Sequence, residues 1–142
     1  ARLAASGRDD TQCGLIAVDI DWFKRINDRH GHEAGDEVLC HIAQTLIHAA
    51  PHDAFVARIG GEEFTIMHDV ASELDLSRIA EALRKATEST RYSYRGEQIH
   101  VTISLGLTLA RPTDTLSSLL SRADRALYDA KNHGRNQVAR AA

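Results

Sequence analysis

The sequence has no apolar run long enough to cross a bilayer, no large excess of charge of one sign and only two cysteines among its 142 residues. Because a membrane-spanning helix needs about 20 consecutive apolar residues, we expect no membrane contact by this chain. The formal net charge of −3 gives no general attraction to nucleic acid or anionic lipid. A phosphate-bearing ligand must therefore be held by a local site.

The scarcity of cysteine also bears on where the protein works. Cys13 and Cys40 fit neither a disulfide framework nor a zinc motif, so we expect two buried free thiols in a reducing cytoplasm. The sequence opens without a signal peptide, and residues 1–10 are typical of a helix end followed by a loop. We expect one domain over residues 1–142, cut from a longer protein whose other parts decide any membrane tethering.

Apolar patterns divide the chain into strands and helices. An apolar run over residues 15–20 predicts a strand that is buried on both faces in the centre of a sheet. From Asp36 onward, apolar residues recur at helical spacing until Pro51 ends the pattern. The same spacing predicts a second amphipathic helix around residues 76–83.

Paired glycines separate two β-prone segments in the middle of the chain. Residues 55–59 and 64–68 flank Gly60 and Gly61. This arrangement predicts a hairpin, because glycine supplies the positive φ of tight turns.

The last two predicted elements complete a recognisable order. Residues 99–109 predict one long strand, and residues 116–130 carry the apolar stripe of a helix. Thr113 or Asp114 is expected to begin that helix, and Gly134 to end it. The order βαββαβ predicts a ferredoxin-like α/β fold, with a mainly antiparallel central sheet flanked by helices.

Acidic residues occur at two places that this fold brings together. Asp19 and Asp21 lie where the central strand ends, and Glu62 and Glu63 lie at the tip of the hairpin that pairs beside it. Converging carboxylates repel one another unless a cation joins them, and hard oxygen ligands suit Mg²⁺ together with substrate phosphates. The pattern favours a nucleotidyl-transfer site.

Each of these features also has a purely structural interpretation when it is taken alone. An Asp-x-Asp pair at a strand end is commonly a turn or a helix cap, and Gly-Gly-Glu-Glu is compatible with a solvated hairpin. His32 is compatible with an ordinary loop position. Lys131 and Arg135 could complement the negative end of the last helix.

The combination of five ordered motifs resembles the GGDEF family of diguanylate cyclase domains over nearly the whole chain. The motifs occupy residues 19–28, 31–36, 58–64, 101–106 and 126–136, and the signature stands here as Gly-Gly-Glu-Glu-Phe. The resemblance implies a fold similar to that of nucleotidyl cyclases and polymerase palm domains. The family's opening segment is missing, so we expect an N-terminally truncated domain that begins within its first helix.

The resemblance also implies a metal site and a catalytic pair. By similarity to the family, the carboxylates of Asp19 and Glu62 and the main-chain carbonyl of Ile20 would bind Mg²⁺, with Mn²⁺ as an alternative. Glu63 would serve as the base that removes a proton from a ribose 3′-hydroxyl. Lys24 would neutralise charge that develops on the phosphoryl groups.

Three residues match the family's substrate-binding positions, namely Asn27, His32 and Asp36, and the chemistry of the first and last fits guanine. A carboxylate can accept hydrogen bonds from both guanine N1–H and the exocyclic amine, whereas adenine presents an acceptor in place of N1–H. GTP is therefore expected as the substrate in preference to ATP.

Four further residues match positions that approach the phosphates. Lys131 and Arg135 correspond to phosphate-contacting positions near the end of the last helix, where the planar guanidinium suits phosphoryl oxygens. Gly60 and Gly61 would let the backbone approach the nucleotide, because a Cβ there would occupy space that the ligand needs.

The reaction that the resemblance implies joins two GTP molecules into cyclic di-GMP and two pyrophosphates. One such site holds one GTP, so two domains are expected to meet as a transient two-fold dimer. Family members carry an N-terminal sensory or receiver domain that controls this encounter, and we expect such a domain in the full-length protein, outside these 142 residues. The alternatives are a catalytically silent GTP-binding domain that regulates a neighbouring domain, such as a phosphodiesterase, and a nucleotidyl cyclase with a monocyclic product.

One family feature is missing. Many members carry an inhibitory Arg-x-x-Asp site, and the corresponding positions here hold Pro51 and Ala54. Asp53 stands one residue early, and side chains alternate across a strand, so it is expected to point away from such a ligand. We expect this domain to lack strong product inhibition through that site.

Overall fold

The computed structural model describes residues 10–141, which form a five-stranded sheet with helices on both faces and a separate two-stranded hairpin. The elements, in chain order, are β1 (Gln12–Ile20), α1 (Phe23–His30), α2 (His32–Ala49), β2 (Phe55–Gly60), β3 (Glu63–Val70), α3 (Glu73–Ser89), β4 (Tyr92–Tyr94), β5 (Glu97–Ile99), β6 (Ile103–Leu109), α4 (Leu116–Asn132) and β7 (Val138–Arg140). No helix in this part of the chain is both long and apolar enough to cross a membrane.

The sheet confirms the predicted ferredoxin-like fold. Its strands lie in the order β2-β3-β1-β6-β7. The first four strands pair antiparallel with their neighbours, and only β7 runs parallel to β6. The strand that was predicted to be central, β1, is hydrogen-bonded on both edges and is buried from Gly14 to Ile20.

Side chains of β1 alternate between two apolar layers because successive residues of a strand point to opposite faces. Ile16 and Val18 belong to the larger core, which α1, α2 and α3 cover. Leu15 and Ala17 pack against α4 in the smaller core. By the same alternation, Asp19 points to the α4 face of the sheet.

A glycine in β6 allows α4 to lie close to the sheet. A Cβ at Gly106 would fall 2.7 Å from the carbonyl carbon of Ala126, and closer still to main-chain atoms of Ala123 and Leu127. A helix backbone cannot yield locally in the way a side chain can, so any larger residue would push α4 outward. This contact fixes the height of α4 above the strands.

The prediction of one strand over residues 99–109 is wrong. Ile99 pairs with Tyr92 in the β4–β5 hairpin, whereas β6 begins only at Ile103. Between them, the carbonyl of Thr102 accepts a hydrogen bond from the main-chain N–H of Asp21 at 2.9 Å. The chain therefore leaves one sheet and enters the other at this point, a change that a continuous β-prone pattern conceals.

The helices also differ in part from their predicted bounds. The helix α1 was not predicted, because Ile26 is its only buried residue and the apolar pattern is correspondingly short. The following helix begins at His32 and not at Asp36. Thr115 caps α4 in a reciprocal arrangement with Ser118, so neither of the two expected caps is used.

Two smaller expectations concern the cysteines and the N-terminal segment. Cys40 is exposed on α2 and Cys13 is only half-buried, so the prediction of two buried thiols is wrong. The helical repeat of α2 turns Cys40 away from the core. The helix end expected within residues 1–10 lies almost wholly outside the described residues.

A buried ion pair joins the end of β6 to the start of α4. The Arg122 guanidinium donates to both carboxylate oxygens of Asp114, at 2.9 and 2.6 Å, and also to Thr108 Oγ1 and the carbonyl of Leu109. Asp114 additionally accepts from the N–H of Arg111. The guanidinium, aided by these hydrogen bonds, holds the pKa of Asp114 well below its usual range.

We predict that Asp114→Asn lowers the free energy of unfolding by about 3–5 kcal/mol, because it leaves the Arg122 charge buried without a counter-ion. Urea denaturation at pH 7 measures this loss. The lowered pKa means that the pair stabilises the fold fully above the ordinary aspartate pKa of about 3.9, and that this stability is lost as pH falls below it.

The matched control is Glu33→Gln, which breaks an exposed ion pair with Arg95. Exposed pairs of this kind contribute about 0–1 kcal/mol. Equal losses of stability in the two variants would contradict the structural importance of the Arg122–Asp114 pair.

Candidate active site

Two acidic segments meet at one end of the central strands, as the sequence predicted. Asp19 lies directly opposite Glu63 in the β1–β3 ladder. The main-chain N–H of Ile20 donates to the carbonyl of Glu62 at 3.3 Å. Asp19 and the half-buried Glu62 therefore lie at the ends of neighbouring strands. Ile20, which follows Asp19 in the chain, lies beside Glu62.

Asp19 is deeply buried, with 3% of its surface exposed. Its Oδ2 atom is paired with the Lys131 ammonium from the last turn of α4. Its Oδ1 atom is buried and has no hydrogen-bond donor among the described residues. A buried carboxylate oxygen without a partner carries a large desolvation cost, and this oxygen is of the kind that binds Mg²⁺.

The donor set near Asp19 fits a cation that is bound mainly through phosphate and water. Within residues 10–141, no three carboxylate, imidazole or thiol side chains gather closely enough to hold a metal ion by themselves. The expected set contains only the carboxylates of Asp19 and Glu62 and one carbonyl, that of Ile20. Mg²⁺ is commonly bound by one or two carboxylates, with waters and substrate phosphates completing the shell, so the residues present fit it.

The second aspartate of the Asp-x-Asp pair has a structural role. Asp21 is buried and its carboxylate accepts from Ser104 Oγ at 2.6 Å, from Thr102 Oγ1 at 2.7 Å and from the N–H of Asn136 at 2.9 Å. These donors use both of its oxygens. Asp21 thus ties the β1–α1 turn to the start of β6 and to the segment that follows α4.

The acidic cluster changes the proton affinities of its members. Burial raises the pKa of Asp19, while the Lys131 ammonium opposes that rise and the Glu62 charge adds to it. The Glu63 side chain is exposed, yet partial desolvation and then the nearby charges of Asp19 and Asp124 raise its pKa. A carboxylate with a raised pKa is a better proton acceptor.

The base-binding candidates lie on α1 and α2, which approach each other closely. A Cβ on Gly35 would collide with the Asn27 amide, so glycine is needed where the two helices meet. Asp36 is the next residue of α2; it is exposed and, with Arg58 and Phe64, lines a cavity of about 380 Å³. The wall of that cavity is largely apolar.

His32 precedes Asp36 by four residues, or about one turn of α2, so the two side chains lie on the same side of the helix. It begins α2 and, with Tyr94 and Arg95, lines a different cavity of about 430 Å³. Lys24 is exposed in the first turn of α1. The structure therefore brings the acidic groups together with Lys131, and it keeps His32 and Asp36 within one turn of the same helix.

The glycines of the hairpin face open space. A Cβ at Gly60 or Gly61 would meet no protein atom within 4 Å, so nothing in the described chain itself requires glycine at Gly60. Gly61 has φ of +52°, a conformation that favours glycine. Its carbonyl accepts a hydrogen bond from Arg58 Nε at 2.9 Å, which stabilises the turn.

The segment after α4 adopts an unusual backbone that orients Arg135. Gly134, Arg135 and Asn136 all have positive φ, and the N–H of Arg135 donates to the carbonyl of Ala130 at 3.0 Å. The Arg135 guanidinium lies 4.1 Å from the centre of the Trp22 ring. This turn brings the end of α4 back to the β1–α1 turn.

Several residues near the site were missed by sequence reasoning. Asp124 precedes Lys131 by seven residues, or about two helical turns, so helical periodicity could have placed both on one face. Asn136 acts through its main-chain N–H, which no side-chain pattern reveals. Trp22 and Arg25 carry no acidic or metal-binding signature, and only the tertiary structure brings them to Arg135.

Comparison with known proteins agrees with this fold and shows the family. A family model described as "Diguanylate cyclase, GGDEF domain" matches residues 1–137. Diguanylate cyclase A of Treponema denticola is 38% identical over 135 residues, which are 94% of this chain and 36% of that protein. Diguanylate cyclase DosC of Escherichia coli is 36% identical over 137 residues, 96% of this chain and 30% of that protein. The chain thus spans about a third of the length of these curated relatives.

Solved structures agree more closely in length. The GGDEF domain of DgcB from Caulobacter crescentus, in complex with c-di-GMP, has a TM-score of 0.86 at 34% identity, over 92% of this chain and 78% of that one. The active GGEEF domain of a diguanylate cyclase from Vibrio cholerae has a TM-score of 0.82 at 33% identity, over 92% and 83% of the two chains. The fold is therefore that of a cyclase-type α/β domain. The chain belongs to the GGDEF family of diguanylate cyclase domains.

Proposed function

We propose that this domain condenses two molecules of GTP into cyclic di-GMP and two pyrophosphates. Each ribose 3′-oxygen forms a bond to the α-phosphorus of the other nucleotide, and the bond from that phosphorus to pyrophosphate breaks. The observation that carries the proposal is the buried Asp19 carboxylate, with one unpaired oxygen, beside the Glu62–Glu63 hairpin. The relatives named as diguanylate cyclases support the same reaction.

The carboxylates of Asp19 and Glu62 and the carbonyl of Ile20 are the proposed ligands of Mg²⁺, with Mn²⁺ as an alternative. When bound, the ion would neutralise charge on the α-phosphoryl group and on the departing pyrophosphate. The unpaired, buried Oδ1 atom of Asp19 supports this assignment.

Glu63 is the proposed base. Its raised pKa suits a group that accepts the proton of a ribose 3′-hydroxyl as the new P–O bond forms. Lys24, exposed in the first turn of α1, would neutralise charge on the phosphoryl groups, and Lys131 and Arg135 would contact phosphate oxygens. The open space around the hairpin glycines, Gly60 and Gly61, leaves room for the nucleotide.

Asn27 and Asp36 are the proposed readers of the guanine edge. The apolar wall of the cavity beside Asp36 suits the face of a base, and its carboxylate can accept from N1–H and the exocyclic amine together. His32, one turn before Asp36 on α2, is proposed as a further substrate-binding residue.

The product contains two nucleotides, so the active unit is proposed to be a two-fold dimer in which each domain presents one GTP. A sensory or receiver domain on the N-terminal side would control that encounter. Because its proposed substrate is GTP, the domain is proposed to act in the bacterial cytoplasm.

We predict that the domain, held as a dimer and supplied with GTP and Mg²⁺, produces cyclic di-GMP and that Asp19→Asn and Glu62→Gln each abolish turnover. Both substitutions remove a charge from the site with little change in volume. Product chromatography measures the outcome, and circular dichroism verifies that the variants remain folded.

Near-wild-type synthesis by either variant would contradict the metal assignment. GTP binding without any product from the dimerised wild type would indicate a silent regulatory domain, and a monocyclic product would indicate the other class of cyclase. The same chromatogram separates all three results.

We predict that Asp36→Ser weakens discrimination between GTP and ATP by about 1–3 kcal/mol, the loss expected when a charged hydrogen bond to the base edge is removed. Competition between the two nucleotides measures it. The matched control is Glu37→Ser, which removes an exposed charge from the next position of α2. An unchanged preference for guanine in the Asp36 variant would show that this carboxylate does not contact the base.

The loop before β2 bears on regulation. Pro51 and Ala54, which replace the family's inhibitory arginine and aspartate, form a turn closed by a 3.0 Å hydrogen bond between them. Asp53 Oδ1 lies 3.6 Å from His68 Nδ1 on β3. The one acidic side chain of the loop therefore has a partner within the domain.

We predict that cyclic di-GMP binds this domain at least about a hundredfold more weakly than a site with the Arg-x-x-Asp pair, because two contacts of roughly 1.5–3 kcal/mol each are missing. Calorimetric titration and progress curves at rising product measure this. Submicromolar binding that is lost on mutating His52 and Asp53 would show that an altered inhibitory site exists.

A further inference from the structure

Trp22 occupies a position that its own environment does not favour. It lies in the turn between β1 and α1 with φ of 57° and ψ of 33°, a left-handed conformation that is uncommon for bulky residues. Its side chain is 48% exposed and makes no cap hydrogen bond to α1. Neither backbone preference nor core packing accounts for a tryptophan here, so its other contacts are informative.

Two arginines contact the indole ring. The guanidinium carbon of Arg25, on α1, lies 3.8 Å from the ring centre, and that of Arg135 lies 4.1 Å from it. Within residues 10–141, neither guanidinium has a carboxylate within 4.0 Å. The two arginines thus share Trp22 as a side-chain contact.

A guanidinium that contacts an aromatic ring can bind a ligand more readily than one that is held in an ion pair. A guanidinium that stacks on an aromatic face keeps its charge and its N–H donors, which lie in the guanidinium plane, free for an anion. A carboxylate partner would occupy some of those donors and cancel the charge. The ring therefore restrains two long side chains while they remain able to bind phosphate.

We propose that Trp22 is a positioning residue that holds Arg25 and Arg135 as a two-armed phosphate clamp, and that Arg25 is a further binding residue for the terminal phosphates of GTP. The proposal rests on the proposed function, which supplies Arg135 as a phosphate contact. It adds a residue of α1 and an aromatic support to that site.

The position of the clamp fits the polyphosphate end of a nucleotide. Trp22 follows Asp19 by three residues, and Asn136, next to Arg135, donates its N–H to Asp21, so the two guanidiniums lie near the end of β1 that carries the proposed metal ligand. Two positive charges held near one ring both attract an anion, and the attraction grows with the number of negative charges that the anion carries. Binding should therefore gain more from the clamp as the number of phosphates increases.

The experiment measures binding without turnover by titrating the domain with 3′-deoxy-GTP, which lacks the attacking hydroxyl, and in parallel with GMP and with pyrophosphate. We expect Trp22→Leu to weaken 3′-deoxy-GTP and pyrophosphate binding about fivefold and to leave GMP binding unchanged. Trp22→Phe, which keeps an aromatic face, should remain within about twofold of wild type.

A mutant cycle tests whether Trp22 acts through Arg25 and Arg135. In an Arg135→Gln, Arg25→Gln background, Trp22→Leu should have no further effect on 3′-deoxy-GTP binding. Arg78→Gln, which removes an exposed arginine of α3, is the control and should bind like wild type.

Unchanged binding of 3′-deoxy-GTP and pyrophosphate by Trp22→Leu, or an equal loss for GMP, would overturn the clamp. If Trp22→Phe weakened binding as much as Trp22→Leu does, the role of the aromatic ring would be overturned. If wild type bound pyrophosphate but not 3′-deoxy-GTP, the proposed substrate would be wrong, while the pyrophosphate titration of the same variants would still decide the clamp.

Discussion

The arrangement of the site depends on the buried carboxylate of Asp21. Its three hydrogen bonds join the β1–α1 turn to Ser104 and Thr102 at the start of β6 and to Asn136 beyond α4. These segments are far apart in sequence, and each contributes or adjoins a residue of the proposed site. Because Trp22 follows Asp21 and Arg135 precedes Asn136, the same carboxylate brings the indole and the guanidinium together. Asp21 therefore supports the site without belonging to it.

Asp19 illustrates the opposite use of a carboxylate. The two aspartates are separated by one residue, yet only Asp21 has both oxygens satisfied, whereas one oxygen of Asp19 is buried without a donor. Such an oxygen is costly in a stable fold, and the cost is understandable where a cation is to bind. Lys131 offsets part of the charge, and its place in the last turn of α4 depends on the close approach of that helix over Gly106. Packing and electrostatics at this end of the sheet are thus linked.

The acidic groups come from strands, whereas the proposed phosphate and base contacts come mostly from helices and their ends. The strand ladder fixes Asp19 against Glu63 through main-chain hydrogen bonds. The helices α1 and α2 are set by side-chain packing, for which the contact between Asn27 and Gly35 is an example. In a site assembled in this way, main-chain hydrogen bonds of the sheet fix the acidic residues. The long side chains from the helices and their ends need contacts with neighbours such as Trp22 to be held in place.

Much of this protein follows from its sequence alone. The buried run of β1, the paired glycines and the order of apolar patterns determined the ferredoxin-like sheet, because strand burial and turn formation depend on local residue types. They also determined that the two acidic segments converge. The residue pattern by itself could not separate the roles of Asp19 and Asp21, which only the family resemblance distinguished, since the difference lies in donors from residues 102, 104 and 136. It also concealed the break between β5 and β6, the helix α1 with its single buried residue, and the stacking of two arginines on Trp22. Those features depend on contacts between distant segments, and only the tertiary structure decides which donors, rings and charges face one another.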